Sequence, residues 1–278
     1  MPIHDELGTR MKEFYESVPK TKLMRRTPVA IRIDGKAFHT FTRGFNKPFD
    51  DVLISAMQDT MKYLCENIQG CVLGYTQSDE ITLILVDYKR LNSSAWFDYE
   101  VQKMCSIAAS MATMAFNKAF HRAVEDADLL WKIGWTPQSV EIQQEHQNYM
   151  RTLRTAETKG AMFDARCFNI PKEEVTNLVY WRQLDATRNS IQMVGQANFS
   201  HKELQGKSCE KIKEMLITEK GISWEDFHPM YKHGSCCIKV TAETDGVTRS
   251  SWEIDKNIPL FVGEGREYIE SLIQCQEE

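Results

Sequence analysis

Near the N-terminus, Leu7, Met11, Phe14, Tyr15 and Val18 recur at helical spacing, which predicts an amphipathic helix packed on the domain. The run Val29-Ala30-Ile31-Arg32-Ile33, bounded by Pro28 and Asp34-Gly35, reads as a short buried strand. Asp50 and Asp51 then cap a predicted helix whose apolar face is Leu53, Ile54, Met57, Met61, Leu64 and Ile68. Two further apolar runs, Cys71 to Tyr75 and Ile81 to Val86, flank Thr76-Gln77-Ser78-Asp79-Glu80 and predict a hairpin with an acidic loop. Between Trp96 and Phe120, Met104, Ile107, Ala108, Met111, Ala112, Ala115 and Phe116 form a broad face rich in small residues, suited to lying on a sheet. Phe163 to Phe168 reads as another strand, and Pro171 with Glu173 and Glu174 as a helix start.

In order, these elements are strand, helix, strand, strand, helix, strand. That order predicts an α+β fold with a ferredoxin-like βαββαβ motif, the palm of many polymerases and nucleotidyl cyclases. The polar segment 121–160 is expected to be an insertion ahead of the last palm strand, so residues 1–170 form a palm-like region. Residues 171–278 are expected to be a mainly helical, fingers-like region, helical to about Phe227, with a C-terminal hairpin around Asp245-Gly246.

Composition narrows the class. The 278 residues, 42% of them hydrophobic, can bury a substantial core. No segment approaches the roughly 20 apolar residues of a membrane span, and Met1 to Lys20 holds no signal-peptide core, so a cytoplasmic location is expected. The eight cysteines never form a C-x-x-C pair and read as reduced packing residues. His228, His233, Cys236 and Cys237 fit no standard zinc spacing, and packing is the preferred reading for them too. A net charge of −5 disfavours a protein that coats nucleic acid indiscriminately. Lys20, Lys22, Arg25 and Arg26 leave a local basic surface open, although a solvated charge run is the commoner explanation.

The chemistry suggested by the pattern is acidic. Asp34 ends the first strand and Asp79-Glu80 occupies the hairpin loop, and in the split topology the first and third strands are neighbours. Carboxylates from two chain segments suit Mg²⁺, which keeps several waters and binds substrate phosphates. Either motif alone is explained by turn chemistry; together, at these topological positions, they favour a metal site.

The wording of this segment is more specific than its periodicity. Arg32-Ile33-Asp34-Gly35-Lys36-Ala37-Phe38-His39, Phe45-Asn46-Lys47-Pro48 and Gly74-Tyr75-Thr76-Gln77-Ser78-Asp79-Glu80 closely resemble ordered blocks of the tRNA(His)-guanylyltransferase family. Trp96-Phe97 with Lys103, Phe163-Asp164-Ala165-Arg166, and Tyr180-Trp181-Arg182-Gln183 with Asp185 continue the resemblance. It implies that Asp34, Asp79 and the Gly35 carbonyl hold two Mg²⁺ ions with Glu80 in support. It further implies that Lys47, Ser78, Lys103 and Arg166 contact nucleotide phosphates or the RNA end, with His39 beside them. A surface lysine whose stem covers apolar neighbours is the plain alternative for Lys103.

One departure selects a branch. Where guanylyltransferases acting on tRNA(His) carry H-I-N-N-L-Y-N, this chain reads Thr187-Arg188-Asn189-Ser190-Ile191-Gln192-Met193, which resembles the "like" proteins of bacteria, archaea and phages. On a helix Asp185, Arg188, Asn189 and Gln192 share one face, either a stripe serving the nucleotide site or a solvated one. The resemblance implies templated 3′-to-5′ addition of nucleotides to a tRNA with a 5′ monophosphate, with ATP and GTP or other NTPs as substrates, by a homotetramer. A palm-type nucleotidyl cyclase and a non-catalytic RNA-binding module are the alternatives.

Overall fold

The computed structural model describes residues 5–133, 139–244 and 247–275. The elements are α1 (Glu6–Met11), β1 (Val29–Gly35), α2 (Phe38–Phe41), α3 (Asp51–Asn67), β2 (Cys71–Gln77), β3 (Glu80–Leu85), α4 (Val101–Ile133), α5 (Val140–Lys159) and β4 (Phe163–Asn169). They continue through α6 (Val175–Asn198), α7 (His201–Leu204), α8 (Cys209–Lys220), α9 (Pro229–His233), β5 (Ser235–Thr244), β6 (Val247–Asp255) and α10 (Glu267–Glu270). The strands form one antiparallel sheet in the order β4-β1-β3-β2-β5-β6. β5 and β6 thus extend the sheet built by the first part of the chain.

Both faces of the sheet are covered, which is why its central strands read as continuous apolar runs rather than alternating ones. Ile31 and Ile33 of β1 and Leu83 of β3 point into a core shared with α3 and α4, where Met57, Met61, Met104 and Phe116 are buried. Ala30 and Ile84 point the other way, against Val175 and Val179 of α6 and the C-terminal Phe261 and Ile269. Gln183 on α6 pins this tail, donating to the Pro259 carbonyl at 2.9 Å and accepting from Phe261 N–H at 3.0 Å. Among the described residues no helix is long and apolar enough to cross a membrane.

Two expectations need correction. The N-terminal apolar stripe does not pack: α1 passes into a π-helical turn at Lys12–Glu16, neither piece buries a residue, and Phe14 and Tyr15 are 63% and 65% exposed. Helical spacing identifies a face but not its partner, and an extra residue per turn rotates that face. The helix expected from Trp96 begins at Val101, because Phe97, Asp98 and Tyr99 take left-handed φ values of 50°, 51° and 56°. Trp96 and Tyr99 are buried there, and Asp98 is ion-paired to Lys22 and Arg25. Arg25 also reaches the buried Asp87 at 2.6 Å, so half of the N-terminal basic run is spent on fastening the chain.

The segment 121–160, expected as an insertion ahead of the last palm strand, is helical: α4 runs unbroken to Ile133 and α5 returns beside it before β4. Trp131 stacks on His146 at 3.9 Å, Arg154 meets Glu125, and His121 meets Glu157, pairing the helices in register. The residues 134–138 and the predicted turn at Asp245-Gly246 lie outside the described residues.

Packing describes Cys65, Cys236 and Cys237, which are buried, but not Cys275 or His228, which are exposed. Cys236 and Cys237 are buried on opposite faces of β5, and every described cysteine is free. His233 meets Thr187 Oγ1 at 3.0 Å, and His228 Nδ1 accepts from Met230 N–H at 3.3 Å.

Close packing of α3 on β2 depends on Gly74, where an added Cβ would lie 2.5 Å from Cys65 Sγ and 2.8 Å from Met61 Cγ. Gly74→Ala is therefore expected to destabilise the protein by about 1–3 kcal/mol through overpacking, measured by urea unfolding; an unchanged midpoint would show that the helix can move away freely.

Candidate active site

The β1–β3 pairing sets Asp34 opposite Glu80, and the turn joining β2 to β3 is only Ser78 and Asp79. Gly35 N–H donates to the Asp79 carbonyl at 3.1 Å, fastening the end of β1 to the hairpin tip. Three carboxylates from two chain segments consequently gather at one end of the sheet. Ser78 and Ala37, which flank this point, hold left-handed φ values of 49° and 54°. Backbone strain of this kind in non-glycine residues concentrates at functional sites.

The three acids have different surroundings. Glu80 is held by Arg32 Nη2 at 3.2 Å and Arg182 Nε at 3.0 Å, with Gln77 Nε2 at 3.3 Å. That arginine N–H is not aimed at the oxygen, so the contact is an ion pair rather than a hydrogen bond. Arg182 is buried beneath Trp181, whose ring lies 4.3 Å from its guanidinium and 5.3 Å from that of Arg32. Asp34 and Asp79 have no ion pair among the described residues. Burial pushes the Asp79 carboxyl above its ordinary range, and the negative charges of Asp34 and Glu80 push it further, against the opposing hydrogen bonds from its own backbone and from Ser78 Oγ at 3.1 Å.

A cleft of about 510 Å³ opens over this point, within the range of small-molecule sites, roughly 300–1,000 Å³. It brings together Gly35, His39, Lys47, Ser78 and Asp79, with Met193 and Gln196 of α6 on the far wall. Asp34 stands one residue from Gly35 and is not itself on the cleft lining. The Lys47 loop is shaped by buried Asp50, whose carboxylate accepts from Asn46 N–H and Leu53 N–H, both at 3.0 Å, and from Tyr149 O–H at 2.8 Å. Asn189 lines a narrower pocket beside the cleft, with Ser78 shared between them.

Other expected residues lie apart. Arg188 is paired outward with Asp185, which also accepts from Arg182 at 2.6 Å and Asn189 at 3.5 Å. Arg166 of β4 sits opposite Arg32 and pairs with Asp164 at 3.0 Å. Lys103 is not among the residues lining the cleft: its ammonium rests 4.9 Å over the Phe97 ring, and on the same helical turn Cys105 lies 3.5 Å from Cys167, opposite Ile31 of β1. Conversely, the arginine cradle of Glu80 was not expected, although Arg182 lies three residues before Asp185, at the spacing of a helical ion pair.

Unpaired carboxylates at a sheet end, facing a lysine, a histidine and a hydroxyl across a nucleotide-sized cleft, define an enzyme of the phosphoryl- and nucleotidyl-transfer class. A sequence model of the family described as "Thg1: tRNAHis guanylyltransferase" matches residues 8–171. The chain belongs to that family, and is a nucleotidyltransferase. A bacterial tRNA(His) guanylyltransferase-like protein solved in complex with ATP is 38% identical, with a TM-score of 0.78 over 97% of this chain and 100% of that one. A structure of such a protein in complex with GTP is 36% identical, with a TM-score of 0.73 over 96% and 99%. The probable tRNA(His) guanylyltransferase of Dictyostelium discoideum is 26% identical over 245 residues, 82% of this chain and 83% of that protein.

The raised Asp79 carboxyl has a stability consequence. A group whose folded pKa lies above its unfolded value contributes stability below the unfolded value and loses it as pH rises through the folded one. Asp79→Asn is therefore expected to raise Tm by a few degrees at pH 7, a gain that shrinks as pH falls through the folded pKa of the wild-type carboxyl. Thermal melts at falling pH measure it; a Tm lowered at pH 7 would mean that the ionised carboxylate stabilises the fold.

Proposed function

We propose that the protein adds nucleotides to the 5′ end of RNA in the 3′-to-5′ direction, repairing 5′-truncated tRNA under the direction of the opposing strand. The observation that carries this reading is the convergence of Gly35, His39, Lys47, Ser78 and Asp79 on one cleft beside Asp34. Identity of 38% along nearly the whole chain to a guanylyltransferase-like protein solved with ATP supports it. On this reading the strands β1 to β4, in the order β4-β1-β3-β2, are a ferredoxin-like palm. Residues 171–278 supply the fingers-like region, with α6 as the wall of the site.

The donor set fits Mg²⁺. Asp34 and Asp79 offer hard oxygens without a competing ion pair, and the burial and like charge that push up the Asp79 carboxyl are what a cation relieves. These two carboxylates and the Gly35 carbonyl would hold the metal, with substrate phosphates and water filling the remaining positions. When bound, two Mg²⁺ ions lower the pKa of the attacking hydroxyl and stabilise the leaving oxygen. Lys47 and His39, exposed on the wall, bind the triphosphate of ATP or GTP, and Ser78 Oγ supplies a neutral donor at the turn. Arg32 and Arg182 neutralise Glu80, so the charge left to attract cations is that of Asp34 and Asp79.

Two transfers follow in one place. The 5′ monophosphate of the RNA attacks an NTP with release of pyrophosphate, and the 3′-hydroxyl of the incoming NTP then displaces the activating nucleotide. Arg188 and Asn189 are both occupied by Asp185, which leaves base choice to pairing with the RNA strand. A cytoplasmic homotetramer is the assembly the resemblance implies, and exposed Leu130, Ile133 and Val140 near the end of the α4–α5 hairpin give it apolar surface to cover.

Asp34→Asn is expected to abolish both transfers without unfolding the protein, and Lys47→Ala to raise the NTP KM by about tenfold through loss of a charge-assisted contact. Labelled NTPs, 5′-truncated tRNA and Mg²⁺ provide the assay. With C, A or U at the templating position, the enzyme should add G, U or A respectively, because pairing places the incoming hydroxyl in line. Addition of G on every template would return the protein to the guanine-specific branch, and product formation without RNA would make it a cyclase.

A further inference from the structure

A second recess, of about 250 Å³, opens beside the cleft on the other side of α2. His39 and Thr42 line the cleft, whereas Thr40 and Arg43 line the recess, so neighbouring residues of one short segment serve both volumes. The opposite wall is α5, which presents Arg151, Thr152, Thr155 and Lys159. No carboxylate lines it.

The presentation is fixed by the packing of α5. Leu153 and Ala156 are buried in the main core and Tyr149 bonds to Asp50, which sets the rotation of the helix and turns its basic side towards α2. Close approach is possible because the loop facing Thr152 is Gly44, where even a Cβ would lie 3.2 Å from Thr152 Cγ2. Three cations are thus held around one small volume.

Their lack of partners is the informative point. Arg43, Arg151 and Lys159 make no ion pair among the described residues, although the chain has 39 acidic residues to 34 basic ones. On the same helix Arg154, three residues from Arg151, is engaged by Glu125 and Glu157. Arg25, Arg32, Arg166, Arg182 and Arg188 likewise each meet a carboxylate; among the described residues Arg10, Arg26, Arg90 and Arg122 do not, so what sets the recess apart is that three such cations line one volume. Like charges gathered without counter-charge repel one another, and a polyanion relieves that repulsion. The polar lining consists of cations and hydroxyls, and Phe41 is too buried to offer a stacking face, so the recess suits phosphate groups rather than bases.

We propose that this recess binds the sugar-phosphate backbone of the RNA within a few nucleotides of its 5′ end. The inference rests on the reading that the adjacent cleft takes that end. Lys47 and His39 already serve a nucleotide triphosphate in the cleft, which leaves the RNA backbone as the phosphate source for the recess.

The test is binding of 5′-truncated tRNA to the full-length protein without NTP, by fluorescence anisotropy over a KCl titration. The triple variant Arg43→Gln, Arg151→Gln, Lys159→Gln should bind at least tenfold more weakly at low salt. The slope of log K against log salt should fall by about 2 to 3, close to one per lost contact. The Arg43→Lys, Arg151→Lys variant should keep the slope, and Arg154→Gln should leave it unchanged. ATP affinity and kcat at saturating RNA should stay within about twofold of wild type for all of them, since none touches the cleft. Unchanged RNA affinity and slope in the triple variant would overturn the proposal, as would loss of ATP binding with RNA binding intact, which would make the recess a nucleotide site. Because binding is read without turnover, a protein that holds RNA here yet adds no nucleotide would sink the proposed function and leave this inference standing.

Discussion

Pairing Asp34 against Glu80 across β1 and β3, with Gly35 bonded to the carbonyl of Asp79, forces three carboxylates into the end of one sheet. Such crowding is costly unless charge is supplied, and the structure supplies it unevenly. Two guanidinium groups, one from β1 and one from α6, surround Glu80, and Trp181 lies against both of them. The position of α6 on the sheet is coupled to this ion cluster, and α6 in turn carries the far wall of the cleft. The residual negative charge is concentrated on Asp34 and Asp79, which make no ion pair among the described residues.

The same uneven compensation separates structural charge from functional charge across the molecule. Arg25 with Asp87, and Arg154 with its two glutamates, act as fasteners at the ends of segments. Lys47 and His39 have no carboxylate partner among the described residues and lie open on the cleft wall. In a chain with a net charge of −5, local absence of pairing says more about ligands than the total does.

Much of this was legible before the fold was known, for identifiable reasons. Strands buried on both faces leave apolar runs rich in β-branched residues, and β1 and β3 appear where such runs stand. The acidic hairpin was legible because turn residues and carboxylates coincide at Ser78 and Asp79. The helical pairing within 121–160 was less legible, since contacts such as Arg154 with Glu125 and Trp131 with His146 join residues far apart in sequence. The absence of Lys103 from the cleft lining was hidden for another reason: local wording gives the helix but not what its first turn lies beside. The cradle around Glu80 joins residues 32, 80 and 182, a long-range convergence that no local window contains.

The floor of the cleft has a further consequence. A Cβ at position 35 would lie 2.2 Å from the Phe38 ring, so the backbone there can carry no side chain while Phe38 remains in the core. That part of the floor is therefore made of main chain, while the opposite wall is made of replaceable side chains such as Met193 and Gln196 on α6. Met193 and Gln196 are consequently places where the shape of the cleft can change without disturbing that floor. A library varying those two positions would explore new substrate shapes while every member kept the same floor.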